Sequence, residues 1–324
     1  MPPIIVLDER YAHLEPEFPA ACDIRLGSVL DGDLSALKDE QADVRAIITA
    51  GNKPLPESLW TLPNIGLVAL IGSGFEAIDV DALNARGIAL THGPGMNADD
   101  VATHAVALFL GHNRLLLEND RRVREGVFRD RAANAGIRSV AGLKIGVVGL
   151  GLIGQGIVRR LAGFGCECAW WGPNPKPGEP LIRHDSLAGL AGWCDVLFIA
   201  ARADASNVGL VSGAIIEAVG PKGLIVNISR GSIVDEDALI AALRDGRLGG
   251  AALDVFQEEP TPGERWREVP RVVLSPHIAA TGDLARRSMA LGAAENVRRL
   301  LAREPFLNPV PTSVAALGPL QQRG

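Results

Sequence analysis

The sequence predicts an α/β protein built from two parallel-sheet domains, one inserted into the other. Short apolar runs alternate with helix-like segments along the chain, and the last helical segment has no strand of the second sheet left to join. A chain of 324 residues, 47% hydrophobic and 22% charged, is long enough for about two domains. We therefore expect a discontinuous first domain, 1–98 plus 285–324, and an inserted second domain, 99–284.

Short apolar runs predict the strands of the first domain, among them IIVLD, AIITAG, IGLVALIG and IALTHG. Polar segments with helical spacing, such as DVDALNARG, separate these runs, which is typical of a small parallel α/β unit. The following segment, 99–114, predicts a helix, because its apolar residues recur at helical spacing. The residues on that face are Val101, Ala105, Leu108 and Phe109.

The second domain shows regular alternation from Lys144 onward. Six runs predict its strands: KIGVVG, CECAWW, DVLFIA, LIVNIS, GAALDVF and RVVLS. Their helical or irregular connections favour a doubly wound sheet in which the last strand is buried. A final helix is predicted from about Asp283 to Arg303, and we expect it to return to the first domain.

Composition and charge limit the partners and the cellular compartment that we expect for this protein. The formal net charge is −6 and the basic residues are scattered, which argues against a nucleic acid or an anionic membrane surface. The four cysteines have neither zinc-site nor disulfide spacing, and the start MPPIIVLDER leads into a strand instead of a signal-peptide core. No apolar run approaches the length of a membrane span. We expect a cytoplasmic protein without a metal site.

The first chemical motif is VGLGLIG, which places Gly149, Gly151 and Gly154 between a predicted strand and a predicted helix. Such glycines let the backbone approach a pyrophosphate, and the helix amino terminus, including Leu152 and Ile153, offers N–H donors to it. The alternative is a glycine turn that serves only a tight strand-to-helix connection. The surrounding strand and helix favour dinucleotide binding.

The strand after this motif lacks the acidic residue that normally holds the adenosine ribose. The segment GPNPKPGEP occupies that corner and provides Asn174 and Lys176. An acidic residue would repel a 2′-phosphate, whereas a cation in a small turn suits it. We therefore expect NADP(H) to be preferred and NAD(H) to be possible, the alternative being a solvated proline-rich turn.

Three later segments, NISRGSIVDEDAL, ALDVFQEEP and SPHIAAT, follow in this order, and the first domain contains LIGSGFEAIDVDALNARGIALTHGPG. Together they resemble the D-isomer-specific 2-hydroxyacid dehydrogenases of the glyoxylate/hydroxypyruvate reductase type. The resemblance covers nearly the whole chain. It implies two doubly wound parallel-sheet domains, a Rossmann cofactor domain inserted into a flavodoxin-like substrate domain, and a homodimer that reduces small 2-keto acids to D-2-hydroxy acids.

The resemblance implies that Arg230, Glu259 and His277 form the catalytic centre. A keto acid accepts a hydride only if its oxygen gains a proton, and histidine is the natural donor near neutral pH. Glu259 would stabilise the imidazolium by charge and hydrogen bonding. Arg230 would bind the substrate carboxylate with its planar fork, the alternative being a surface salt bridge.

Three further site residues are expected. Ser73 and Gly74 in GSGF can form a backbone N–H nest for the substrate carboxylate, or a simple turn. Asp254 resembles the family aspartate beside the nicotinamide amide, although it could equally cap the next turn. The other histidines are expected to be packed or solvated; they are His13, His92, His104, His112 and His184.

Two residues depart from the family pattern. Arg202 lies where relatives commonly have a proline-containing segment on the adenosine side, and we expect it to contact the cofactor. Phe128 stands where many relatives that reduce glyoxylate or hydroxypyruvate have a tryptophan that reaches a neighbouring subunit's site, so the substrate pocket could differ.

Other functions fit the sequence less well. A phosphoglycerate dehydrogenase-like enzyme is a weaker alternative, because the chain ends near GPLQQRG without room for a regulatory domain. A formate dehydrogenase would require glutamine in place of Glu259. A dinucleotide-sensing corepressor could keep the catalytic residues, and turnover of keto acids would distinguish it from an enzyme.

Overall fold

The computed structural model describes residues 2–27, 40–128, 134 and 136–314. The chain divides into two compact units, Met1–Asn97 with Gly282–Gly324, and Ala98–Thr281. The segment GPLQQRG, 318–324, lies outside the described residues.

The strands, in chain order, are β1 (Ile4–Asp8), β2 (Asp23–Gly27), β3 (Val44–Thr49), β4 (Leu67–Leu70), β5 (Ala89–Thr91), β6 (Lys144–Val148), β7 (Glu167–Trp171), β8 (Ile182–Arg183), β9 (Val196–Ile199), β10 (Leu224–Asn227), β11 (Gly250–Leu253) and β12 (Val272–Leu274). The α-helices are α1 (Val80–Ala85), α2 (Ala98–Asn113), α3 (Leu116–Arg124), α4 (Leu152–Ala162), α5 (Leu187–Trp193), α6 (Gly213–Val219), α7 (Glu236–Arg244), α8 (Gly263–Arg267) and α9 (Asp283–Ala302).

The first unit contains a five-stranded parallel sheet in the order β2-β1-β3-β4-β5. This is the flavodoxin-like order. Its inner strands, β1, β3 and β4, are mostly apolar, because both faces of a parallel sheet are covered. Helix α9 covers one face, where Ala285, Met289 and Val297 are buried with Ile5 and Ala46.

The second unit contains a seven-stranded parallel sheet in the order β12-β11-β10-β9-β6-β7-β8. Relative to its first strand, β6, this order follows the Rossmann arrangement. The predicted fold class is therefore confirmed. Helix α2 lies where the apolar spacing predicted it, and all four residues of the predicted face are buried.

Two predictions about this sheet were wrong. The sequence predicted six strands, but a further strand, β8, pairs with β7; its two residues are too short to form a recognisable apolar run. The run RVVLS was predicted as buried, but β12 is an edge strand and the Leu274 side chain is 37% exposed. Periodicity reports apolar character and cannot distinguish an edge strand from a central one.

Two kinds of binding feature, a membrane-spanning helix and a cluster of metal ligands, are absent from the described residues. In the part of the chain that the structure describes, no helix is both long and apolar enough to cross a membrane. The same residues contain no group of three or more His, Cys, Asp or Glu side chains that could hold a metal ion.

Candidate active site

The glycine-rich turn lies between β6 and α4, at the carboxyl end of an inner strand of the seven-stranded sheet. Gly149 has a φ of 89°, and a Cβ there would lie 2.7 Å from Cα of Ala201. A Cβ on Gly154 would lie 2.2 Å from the carbonyl oxygen of Gly149. A Cβ on Gly151 would meet no described atom within 4 Å. Gly149 and Gly154 thus permit the tight turn, and the space around Gly151, in front of α4, is open.

That open space fits the pyrophosphate of a dinucleotide. Gly151 is the N-cap of α4, and Leu152 and Ile153 form its first turn. First-turn N–H groups have no acceptor within their own helix, and the helix dipole favours an anion beside them. The Leu152 side chain is 63% exposed and leaves the turn accessible.

The loops after β7 and β9 flank this turn, because both strands pair with β6. Asn174 and Lys176 are exposed in the first loop, and Arg202 is exposed in the second. Arg183, also in this region, was not predicted as a site residue from the sequence. Its Nη2 donates to the carbonyl oxygen of Gly172 at 2.8 Å, directly after β7. The segment around β8 gave no signal for this contact.

Arg230 lies in the turn after β10, where Asn227 fixes the backbone. The Asn227 side chain is buried; its amide donates to the carbonyl oxygen of Arg230 at 3.0 Å, and its oxygen accepts from the Ser229 N–H at 3.1 Å. A Cβ on Gly231 would lie only 1.9 Å from the Phe256 carbonyl carbon. The glycine therefore lets this turn pack directly against the segment that leads to Glu259.

Glu259 and His277 form a hydrogen-bonded pair. Nδ1 of His277 lies 2.6 Å from Oε2 of Glu259, and Oε1 of Glu259 accepts from the Phe256 N–H at 3.1 Å. The two side chains are 32% and 34% exposed, so each remains accessible to a small ligand.

The environment keeps Glu259 ionised. Burial alone would raise the pKa of this carboxyl, but the hydrogen bond and charge of His277, the Phe256 N–H and the charge of Arg230 together hold it below its usual value. Glu259 is therefore an anion at neutral pH. The three predicted residues of the second unit thus lie in one electrostatic environment.

Asp254 holds the turn that carries His277. Its carboxylate is fully buried and accepts from the Ile278 N–H at 3.0 Å, the Ala279 N–H at 2.9 Å and the Ser275 hydroxyl at 2.6 Å. Burial would raise the pKa of Asp254, but His104, Ser275 and these two N–H groups together lower it. These bonds match the capping alternative, and the contact with a nicotinamide stays a prediction.

In the first unit, Ser73 and Gly74 follow β4 in a loop held by two contacts. A ring nitrogen of His92, Nδ1, lies 2.9 Å from the Ser73 carbonyl oxygen, and the Gly93 N–H donates to the Gly72 carbonyl oxygen at 2.7 Å. The expectation that His92 is merely packed or solvated was therefore incomplete. Its sequence neighbourhood contains no signal for a partner 19 positions away.

A doubly wound parallel sheet with a glycine turn after its first strand in the chain, β6, is the arrangement of dinucleotide-binding domains. Residues 106–279 match the family described as D-isomer specific 2-hydroxyacid dehydrogenase, NAD binding domain. The chain belongs to the D-isomer specific 2-hydroxyacid dehydrogenase family. Its cofactor class is accordingly a nicotinamide dinucleotide.

Three relatives illustrate the similarity. A 2-ketogluconate reductase of Gluconobacter oxydans is 34% identical over 278 residues, 86% of this chain and 89% of the relative. A glyoxylate/hydroxypyruvate reductase of Arabidopsis thaliana is 31% identical over 270 residues, 83% of this chain and 84% of the relative. The crystal structure of an NADPH-dependent glyoxylate/hydroxypyruvate reductase of Sinorhizobium meliloti, in complex with NADP and malonate, has a TM-score of 0.84 at 31% identity and full coverage of both chains.

Proposed function

We propose that this protein reduces small 2-keto acids, glyoxylate or hydroxypyruvate being the leading candidates, to 2-hydroxy acids of D configuration where the product is chiral. The observation that carries the proposal is the 2.6 Å pair of His277 and Glu259 beside the charge of Arg230. A proton donor, an anion that stabilises its cationic form and a carboxylate-binding cation are what this reduction requires. The named activities of the relatives agree with this substrate class.

Each side chain has a distinct task in the proposed reaction. The reduced nicotinamide supplies a hydride to the carbonyl carbon of the keto acid when the cofactor is bound. His277 gives its proton to the carbonyl oxygen, so that the ketone becomes an alcohol. Glu259 stabilises the imidazolium before the transfer. Arg230 binds the substrate carboxylate, and its planar guanidinium suits two oxygens at once.

We assign two further groups of residues to binding. Ser73 and Gly74 offer consecutive backbone N–H groups to the substrate carboxylate. The dinucleotide is assigned to the glycine turn, with Asp254 on the nicotinamide side. The residues of the turn are Gly149, Gly151, Leu152, Ile153 and Gly154.

Replacing Glu259 by glutamine should move the decline of reductase activity to lower pH. The amide can still contact the His277 ring, but it lacks the carboxylate charge that stabilises the cationic form of the donor in the proposed reaction. The measurement is kcat/KM for hydroxypyruvate between pH 5 and pH 9. Glu258→Gln, at the exposed neighbouring position, is the matched control. Superimposable profiles for Glu259→Gln and the parent would contradict the pairing.

The preference for NADPH is part of the same proposal. No acidic side chain lies between Trp170 and Lys176. The loop after β7 therefore offers no carboxylate to bind the ribose hydroxyls of NADH, and none to repel the 2′-phosphate of NADPH. Lys176 and Arg202 lie exposed in the two loops that flank the glycine turn and can contribute positive charge there.

Lys176→Ala and Arg202→Ala should each raise the KM for NADPH by about three- to tenfold while leaving the KM for NADH nearly unchanged, because an exposed charge-assisted contact is partly screened by solvent. Steady-state kinetics with both cofactors make the comparison. Lys222→Ala is the control, since Lys222 precedes β10 and lies at the opposite end of the strands. Equal losses for both cofactors would show that these side chains do not recognise the phosphate.

The homodimer and the cytoplasmic setting remain parts of the proposal. Apolar side chains exposed on and just after α3 support association with a second copy, since exposed apolar surface favours protein contacts. They are Leu116, Leu117, Val123 and Phe128. All four cysteines are free thiols, which suits a reducing compartment. Light scattering of the purified protein tests the dimer.

A further inference from the structure

The backbone of His277 has an unfavourable conformation that hydrogen bonds to Asp254 stabilise. Its φ is 54°, in the left-handed region that non-glycine residues rarely adopt. Its N–H donates to the carbonyl oxygen of Asp254 at 2.8 Å, and the next two N–H groups donate to the Asp254 carboxylate. The direction of the His277 ring therefore depends on how firmly Asp254 is held.

Ser275 and His104 complete the set of groups around Asp254. Nε2 of His104 lies 2.9 Å from the Ser275 hydroxyl oxygen and 3.3 Å from Oδ1 of Asp254. The His104 side chain is 23% exposed and that of Asp254 is 1% exposed, so these contacts are largely shielded from water. Hydrogen bonds in such surroundings fix side-chain positions more firmly than exposed ones do.

The distances assign the hydrogen between His104 and Ser275. Ser275 has one hydroxyl hydrogen, and the Asp254 oxygen at 2.6 Å is a much closer acceptor than the Leu253 carbonyl oxygen at 3.5 Å. The Ser275 oxygen is then the acceptor for His104, whose Nε2 must carry a hydrogen. His104 thus donates into the Ser275–Asp254 pair.

We propose that His104 is a positioning residue that acts through Ser275 and Asp254 to hold the turn bearing His277. It connects α2, which packs beside Ala252 and Ala279, to a turn at the far end of the sequence. This inference rests on the proposed function for its kinetic consequence, since an enzyme whose His277 is misdirected would transfer the proton poorly. No local pattern in the sequence separates His104 from the other histidines.

The test compares His104→Leu with His104→Gln. Leucine removes the donor at similar size, and kcat for hydroxypyruvate should fall about ten- to a hundredfold, a larger change than any in the KM for NADPH, because small misplacements of a reacting group are costly. Glutamine can place an N–H near the position of Nε2 and should retain most of the parent's kcat. Equal losses in both variants, or parent-like kcat in His104→Leu, would overturn the proposal.

Ser275→Ala provides a second, independent variant. It removes the link between His104 and Asp254, so its loss of kcat should resemble that of His104→Leu, and the double variant should be no worse than either single one. Additive losses would show that the two residues act separately and would overturn the proposal. If His104→Leu does not fold, parent-like kcat in Ser275→Ala has the same meaning.

A readout without substrate separates this proposal from the proposed function. The ring ¹H–¹³C resonance of His277 is assigned by its disappearance in His277→Gln. It should shift in His104→Leu and return close to the parent position in His104→Gln. An unmoved resonance in His104→Leu would overturn the positioning role even if the parent reduces keto acids. A parent that reduces no keto acid, with the resonance shifted as expected, would instead contradict the proposed function alone.

Discussion

Replacing His277 by glutamine should lower kcat for keto acid reduction by about a hundredfold or more while leaving NADPH affinity intact. Glutamine preserves the size of the side chain and can contact Glu259, but it cannot become a cation and cannot deliver a proton to the developing alkoxide. General acid catalysis contributes about 10²–10⁴ in rate, which sets the scale of the loss. Single-turnover kinetics with saturating NADPH measures this step directly.

The control for this substitution is His13→Gln, an exposed histidine of the first unit. Quenching of protein fluorescence by NADPH checks that the cofactor still binds to the His277 variant. Turnover within a few-fold of the parent would exclude His277 as the proton donor. Loss of cofactor binding together with turnover would indicate instead that the turn between Ser275 and Ala279 had rearranged.

Arg230→Lys should lower kcat/KM for the keto acid by about ten- to a hundredfold. Lysine keeps the positive charge but lacks the planar pair of donors, and a charge-assisted hydrogen bond to a carboxylate contributes about 1.5–3 kcal/mol. The backbone there is fixed by Asn227 and closely packed at Gly231, so a longer or shorter side chain cannot be accommodated by a shift of the turn.

This loss should be confined to the keto acid, with the KM for NADPH unchanged, because the glycine turn is untouched. Arg267→Lys, at an exposed position of α8, is the matched control. Parent-like kcat/KM in Arg230→Lys would mean that a point charge is sufficient and that Arg230 makes no bidentate hydrogen bond to the substrate carboxylate. A loss carried wholly by the KM for NADPH would reassign Arg230 to the cofactor.

Local sequence patterns predicted most of the fold. The glycine spacing predicted a strand, a turn and a helix because the positive φ of Gly149 and the close approach of Gly154 to the Gly149 carbonyl oxygen are local requirements of that turn. Helix α2 was predicted because its buried face repeats within one segment. Strand β8 was missed because two residues carry no period, and the exposure of β12 was missed because its neighbours, and not its own residues, make it an edge strand.

The residues of the candidate site that lie in sequence motifs could be predicted. Those whose role depends on tertiary contacts could not. Arg230, Glu259 and His277 were selected by resemblance, and their roles stay predictions that the geometry supports. His104 was not selected, because its partner Ser275 lies 171 positions away and no local pattern connects them. The role of Asp254 in capping the His277 turn was left open for the same reason: the position of an aspartate at a strand end does not reveal which groups donate hydrogen bonds to it.

The most direct test of the account is turnover of a keto acid panel by the purified protein with NADPH and with NADH. Glyoxylate, hydroxypyruvate, pyruvate and 2-ketogluconate cover the proposed size range, and chiral analysis of the glycerate formed from hydroxypyruvate reports stereochemistry. We expect reduction of glyoxylate or hydroxypyruvate, a higher kcat/KM with NADPH than with NADH, and D-glycerate as the product. Cofactor binding without turnover of any of the four acids, as in a dinucleotide sensor, would contradict the account, and so would formation of L-glycerate.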